Sequence, residues 1–247
     1  LKKVFHDSDR DNATMANTRT YDFPRPAVTV DISLIRVVKP LGSLQVLLVQ
    51  RGFAPFAGQW ALPGGFVREN EDLGQAAQRE LSEETGLTET RLQQVATIGT
   101  PGRDPRGHTV TVLFAALIAG DNWHPKSGGD AAAAQWFDVA KLPALAFDHA
   151  RLIHMSLQHI RDRLGDTPIV FELLPKRFTL RDLQTICEMI LGRNLDPRNF
   201  RRRVQELGIV VPTDQMQRAG AHRPAQLFRF APREFSRYTQ RRKLLPF

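Results

Sequence analysis

Glu80, Glu83 and Glu84 stand at i, i+3 and i+4 within a stretch that runs from about Asp72 to Thr85. If the stretch is helical, the three carboxylates share one face, stacked over successive turns. Like charges placed this way repel, and a solvated surface gains nothing from them. A hard cation such as Mg2+ or Mn2+ relieves the repulsion and takes oxygen ligands. Arg79 precedes them and can hold a carboxylate in place through paired N–H donors. Upstream, Gly64-Gly65 lets a backbone carbonyl or a phosphate approach closely, which adds Gly65 to the candidate metal ligands. Cations bridging diphosphate oxygens could stabilise developing charge and generate a hydroxide nucleophile. The chemistry indicated is the gripping or splitting of a diphosphate, with Glu80, Glu83, Glu84 and Arg79 as candidate catalytic residues.

The elements that must position these groups follow from pattern. Leu73, Ala77 and Leu81 recur at i, i+4 and i+8 and give the helix a buried stripe. Gly86 follows its end, where a left-handed cap is expected. Val28–Val38 and Leu44–Gln50 read as a strand hairpin around Lys39-Pro-Leu-Gly-Ser. Trp60–Val67 carries a Pro-Gly-Gly bend. Further strands are expected at Leu92–Gly99, Thr109–Leu117 and Gln135–Asp138, and a helix at about Asp148–Arg163. Residues 1–24 are expected to be a flexible lead, whose first 14 residues, ahead of Met15, are either foreign additions or disordered. Gly165-Asp-Thr-Pro is turn-like and marks a shift in composition. The expected division is a first domain over 25–165 and a second over 166–247.

The second segment is basic. Residues 167–247 hold 16 Lys and Arg against 7 Asp and Glu, a net of +9, while the remainder has a net of −1. Such asymmetry points to a nucleic-acid or membrane partner for one segment. Thr179-x-x-Asp182 is a helix start signal, Leu180, Leu183, Cys187 and Ile190 give that helix an apolar face, and Gly192 ends it. Asp196-Pro197 starts a second helix. Phe200, Val204 and Leu207 line one side of it. Arg198, Arg201, Arg202 and Gln205 fall opposite, with Asn199 among them. An exposed basic face on the second helix of a tight pair suits the DNA major groove. Arg can pair with guanine and Gln with adenine. Ile209–Val211 and Gln226–Phe230 read as strands flanking a loop with Arg218, His222 and Arg223, which looks like a wing. Lys176, before the first helix, completes the candidate DNA-binding set; Arg233, Arg237, Arg241, Arg242 and Lys243 could add phosphate contacts. The segment is Arg-rich and poor in the aromatic platforms that single-stranded RNA readers use.

No apolar run approaches the roughly 18 residues of a membrane span, and residues 1–27 are polar, unlike a secretory leader. Cys187, the one cysteine, excludes an internal disulfide and fits a reducing compartment. The expected location is cytoplasmic, with the nucleoid when DNA is bound.

Gly65, Glu71, Arg79, Glu80, Glu83, Glu84 and Gly86, with aliphatic Leu81 and Leu87, match every position of the Nudix box. The segment resembles Nudix proteins. That resemblance implies an α+β chain beginning with a mixed-sheet sandwich, in which Glu80, Glu83 and Glu84 are metal ligands or bases, Arg79 orients them and Glu71 supports the site. The flanks, Arg51 to Gly65 and Arg103-Asp-Pro-Arg-Gly-His, are similar to Nudix proteins acting on ADP-ribose and related dinucleotides. Arg51, Phe56, Gly64, Gly65, Arg103, Asp104 and Arg106 are the ligand-binding candidates. Phe53, Phe56 or Trp60 could stack on a base, with a core role equally open for Trp60, and His108 is more simply a strand-end residue than a contact. The order of parts, with Leu174-Pro-Lys-Arg-Phe-Thr-Leu-Arg-Asp-Leu-Gln and Ile190-Leu-Gly-Arg-Asn-Leu-Asp-Pro-Arg-Asn-Phe-Arg-Arg, resembles the Nudix-related transcriptional regulators of NAD metabolism. That implies a C-terminal winged helix-turn-helix and a homodimeric repressor released from operator DNA by ADP-ribose or a related metabolite. The alternative is a Mg2+-dependent ADP-ribose pyrophosphatase with an accessory DNA-binding domain; the intact box leaves turnover open.

Overall fold

Alternation along the first strand sorts the chain into layers. The computed structural model describes residues 22–38, 43–88, 90–118, 125, 128, 131–164, 167–217 and 224–240. In β1 (Ala27–Val38), Val30, Ile32 and Leu34 face one way, and Asp31, Ser33, Ile35 and Val37 the other. The first set packs against Ala76, Ala77 and Leu81 of α1 (Leu73–Thr85). Ile35 and Val37 join the core that holds Leu152, Ile153 and Ile160 of α2 (His149–Asp162). Both faces of the sheet are therefore covered by helices.

Among the described residues the sheet has seven strands. β1 pairs antiparallel with β2 (Ser43–Arg51) and β4 (Gly64–Phe66) and parallel with β6 (Thr109–Ile118). β2 also pairs with the short β3 (Trp60–Ala61) and with β7 (Ala131–Asp138), and β6 with β5 (Gln93–Ile98). The sheet is mixed, as expected. β7 begins four residues earlier than expected, because pairing with β2 overrides the weak strand preference of its alanines. The turn between β1 and β2 lies outside the described residues. Trp60 is half-buried and edge-on to Phe137, a core contact.

The C-terminal part opens with α3 (Ile169–Glu172), then α4 (Leu180–Leu191), α5 (Pro197–Glu206), the ribbon β8 (Val210–Gln217) and β9 (Ala225–Phe230), and α6 (Pro232–Gln240). Thr179 and Asp182 form a reciprocal capping box at the start of α4, Gly192 ends it at φ 68°, and Asp196 caps α5 with Pro197 in its first turn. Phe178 bridges to Phe228, and Phe171 stacks on Phe230 at 4.0 Å between centroids. This is a winged helix. Two of its helices go beyond the sequence reading. α3 is a single turn of β-branched and aromatic residues, kept helical by burial of Val170 and Phe171. α6 buries Phe235 and starts at Pro232, a favourable first-turn residue. One continuous apolar cluster runs from Ile35 and Leu48 through Leu152 and Ile160 to Leu183, Ile190 and Val204. No helix among the described residues is long and apolar enough to cross a membrane.

Candidate functional site

α1 is punctuated at both ends. Asp72 accepts from the Gln75 N–H while Gln75 reaches back to the Asp72 N–H, and Gly86 closes the helix at φ 74°. The framework presents Arg79 and the three glutamates toward the β4 strand. Arg79 grips Glu71 with two donors, at 2.6 and 2.9 Å, and reaches the Phe66 carbonyl at 3.1 Å. Its remaining amino group donates to Glu80 at 2.6 Å and to Glu83 at 3.3 Å. Glu84 accepts from the Gly64 N–H at 3.0 Å, and Glu83 from Arg68 at 3.4 Å.

The electrostatics separate these carboxylates. The Arg79 hydrogen bonds hold Glu71 at a pKa of about 2, and Glu71 in turn raises Arg79 above its ordinary value. Glu80, with 13% of its side chain exposed, is pushed up by burial, with Glu83 adding repulsion and Arg79 opposing both. Glu83 is 44% exposed. Among the described residues no three acidic, His or Cys side chains converge on one point, because each glutamate is turned toward a protein donor. The donor set nonetheless fits a hard cation. Glu80 gains from a positive neighbour, and a side chain at position 65 would run into its carboxylate, so a glycine there lets Glu80 lie against the β4 backbone. Gly64, at φ 156°, lies so close to β1 that any side chain would strike the Val30 carbonyl.

These residues form one wall of a cavity of about 600 Å³, within the usual range for small-molecule sites. Glu80, Glu83, Glu84, Gly64, Gly65 and Arg68 line it there, and Arg51, Phe66, Asp104, Arg106, Phe147 and His149 are among the residues that line the rest. Arg51 and Arg106 lie over the Phe147 ring at 4.8 and 5.5 Å, and Arg106 also over Phe66 at 5.0 Å. Phe56 meets Phe147 edge-on at 4.8 Å. Asp104 aligns Arg106 through its guanidinium, at 2.7 Å, and its backbone N–H, at 2.9 Å. Burial works against the Asp104 charge, but Arg106 outweighs it and the pKa is lowered. The floor is a buried charge network. Arg103, 5% exposed, binds Asp148 at 2.7 and 3.2 Å and lies 3.5 Å from Asp31. Asp31 also accepts from the Thr111 hydroxyl at 2.7 Å. His149 accepts the Leu62 N–H on Nδ1 at 2.8 Å, which leaves its proton on Nε2, 3.5 Å from Asp31. Burial lowers its pKa despite the two nearby aspartates. Cationic donors, aromatic faces and carboxylates on one wall together suit a diphosphate carrying a ring.

The other candidate surface is α5. Phe200 and Val204 are buried, while Arg198, Asn199, Arg201, Arg202 and Gln205 are exposed. Arg202 donates to Asn199 at 3.3 Å, so two of the polar groups are already aligned. Gln184 and Glu188 of α4 bond the backbone of Leu195, which fixes the turn into α5. Lys176 is exposed just before α4. Arg218, His222 and Arg223, and the basic residues 241–243, lie outside the described residues.

Residues 29–155 match the NUDIX domain family and residues 170–230 the NrtR DNA-binding winged helix domain. The chain is 41% identical over 229 residues to a protein named "ADPR responsive transcriptional repressor NtrR" from Acinetobacter baylyi, covering 91% of this chain and 90% of that one. This chain belongs to the NrtR family of Nudix-related regulators. NrtR of Shewanella oneidensis, solved with a 27mer DNA, is 34% identical over 85% of this chain and 95% of its own, with a TM-score of 0.69. Its Nudix domain, solved with ADP ribose, is 36% identical over 60% of this chain and 95% of its own, at a TM-score of 0.51. An ADP-ribose pyrophosphatase of Methanocaldococcus jannaschii is 41% identical over 128 residues, 52% of this chain and 71% of its own.

Set against this NrtR framework, the sequence-predicted residues fall into three groups. Glu80, Glu83, Glu84, Gly64, Gly65, Arg51, Arg103, Asp104 and Arg106 line the cavity together. Arg79 and Phe56 stand behind that lining, Arg79 clamping carboxylates and Phe56 backing Phe147. Arg103 is committed to Asp31, which is buried, and Asp148, which is half-buried. His108 is an exposed strand-end residue whose carbonyl accepts from Ala27, outside the cavity wall. Asp31, Phe147, Asp148 and His149 were not expected. Asp31 left a signal, a carboxylate in the centre of an apolar strand, but its partners Arg103, Thr111 and His149 stand 72 or more residues away.

Proposed function

We propose that this chain is a transcriptional repressor of NAD-metabolism genes that binds paired operator half-sites as a homodimer and is released by ADP-ribose or a related NAD-derived diphosphate. The observation that carries the reading is the outward face of α5, where Arg198, Asn199, Arg201, Arg202 and Gln205 are exposed together on the second helix of a fixed pair. Those are the side-chain types that read base edges and phosphates in a major groove. Arg51 and Arg106 receive the diphosphate, Phe147 offers a face to the base, and the repressor acts in the cytoplasm, where the DNA lies. The test is selection from random duplex DNA followed by footprinting. Two protected half-sites about one helical turn apart are expected. Enrichment of no sequence over bulk DNA contradicts the reading.

A second reading, hydrolysis of the ligand to AMP and ribose 5-phosphate, is favoured by the complete carboxylate set. Glu80, Glu83, Glu84 and the Gly65 carbonyl would hold Mg2+ or Mn2+. Such a cation, when bound, supplies a Lewis acid for the diphosphate oxygens and lowers the pKa of a bound water. Arg79 keeps Glu80 aimed at the cavity, and Gly64 holds Glu84 in place. Glu84→Gln is expected to cut AMP release by about 100-fold or more while operator binding is retained. Equal AMP release by the variant and the parent would sink this reading.

A further inference from the structure

We propose that α2 is the element through which the cavity acts on the DNA-binding helices, and that Arg161 is the positioning residue at the joint. This rests on the reading of an effector-released repressor given above.

The first turn of α2 belongs to the cavity. Phe147, just before it, holds a left-handed backbone at φ 52°, a conformation that costs a residue with a side chain and persists only where its surroundings enforce it. Here Arg51, Arg106, Phe56 and His149 pack around its ring. His149 bonds the Leu62 N–H, two residues before Gly64, whose own N–H holds Glu84. A diphosphate attracting Arg51 and Arg106 competes with their seats on Phe147. The ligand thereby interacts differently with two positions of the start of α2, which any ligand-driven shift requires.

The far end of α2 belongs to the winged helix. Its 14 residues span about 21 Å. Along that length Leu152, Ile153 and Ile160 share one apolar core with Leu183, Ile186, Cys187 and Ile190 of α4. Close-packed contacts of this kind pass on a displacement instead of absorbing it. In the last turn Arg161 donates from Nε to the Ile190 carbonyl at 2.8 Å. Ile190 is in the final turn of α4, where carbonyls have no partner within the helix. Gly192 follows, and Gln184 and Glu188 fasten Leu195 to α4, so α4, the turn and α5 move as one body. Arg161 therefore ties the end of the cavity helix to the start of the turn that aims α5.

The test uses the full chain, metal-free, with the selected operator. Operator affinity and ADP-ribose affinity are each measured alone and in the presence of the other ligand, for the parent and Arg161→Ala. The parent is expected to lose operator affinity about tenfold or more on saturation with ADP-ribose. Arg161→Ala is expected to keep each separate affinity within about threefold while that coupling shrinks to about twofold or less, equally in both directions. Arg161→Met, which retains the aliphatic stem, gives the same result if Arg161→Ala is too unstable to assay. Coupling of parental size in either folded variant overturns the inference and leaves the repressor reading intact. Loss of operator binding by both variants without ligand also overturns it, assigning Arg161 to the integrity of the winged helix. A parent that binds operator without any response to ADP-ribose removes the effector reading itself.

Discussion

At the residue scale the candidate site divides into a part written locally and a part assembled by the fold. Glu80, Glu83 and Glu84 were legible because helical spacing alone puts them on one face. The pairing of Asp31 with His149 was not, since it depends on which side of β1 the α2 helix covers. Phe147 was illegible for the same reason, and the proposal that it offers a face to the base predicts a direct effect. Phe147→Ala is expected to weaken ADP-ribose binding by about 1–3 kcal/mol, the worth of one stacked base, with ligand-free operator binding unchanged. Calorimetric titration checks it, and unaltered affinity would remove Phe147 from recognition. His149 predicts a pH effect. Its imidazole is held neutral by burial, against an ordinary value of 6.5. Below that value the unfolded chain takes up a proton that the folded one resists, so stability is present above pH 6.5 and falls as the pH drops beneath it. Glu71 enters only lower, between its ordinary 4.5 and about 2. Melting between pH 7.5 and 5.5 should show the loss in the parent and a smaller one in His149→Asn, which can still accept the Leu62 N–H. Parallel curves would contradict the assignment.

At the element scale, punctuation was the legible part. Gly86 and Gly192 both stand in left-handed caps, and Thr179 and Asp196 both accept the expected backbone N–H. These signals are local hydrogen-bonding and steric facts, readable in a few residues. Elements whose form depends on tertiary burial were harder to read. α3 has strand-like residues, β7 opens with alanines, and α6 follows a strand with no capping motif in the sequence. β8 also runs six residues past Val211, through mostly polar and exposed residues that carry no apolar alternation. The cap of α5 carries a prediction for the DNA-binding surface. Asp196→Ala removes the acceptor for the Asn199 N–H and should cost about 1 kcal/mol of stability. Because that end of α5 carries Arg198 and Asn199, operator binding should weaken while ADP-ribose affinity stays at the parental value. Denaturant unfolding and the two titrations check this together, and equal losses in both affinities would argue against a local effect.

At the scale of the whole molecule, charge and core point in different directions. The charge is split, −1 over residues 1–166 and +9 over 167–247, and that asymmetry was plain in the sequence. The core does not follow that division, since one of its apolar clusters joins α2 to α4 and α5. Such continuity was hidden, because periodicity identifies a buried face without naming what covers it. The split charge predicts that operator affinity falls steeply with salt. Replacing Arg201 and Arg202 with Ala should flatten the slope of log K against log salt by about one for each phosphate left without its arginine; an unchanged slope would place both side chains away from the DNA backbone. The continuous core makes ligand release of DNA mechanically reasonable. The most direct test of that release is a titration of selected operator DNA with the full chain, with and without ADP-ribose, with AMP measured in the same samples when Mg2+ is present. Sequence-specific binding that ADP-ribose weakens is expected, whether or not AMP appears. Rapid AMP release from a chain that binds no DNA specifically would contradict it and make the chain an enzyme first.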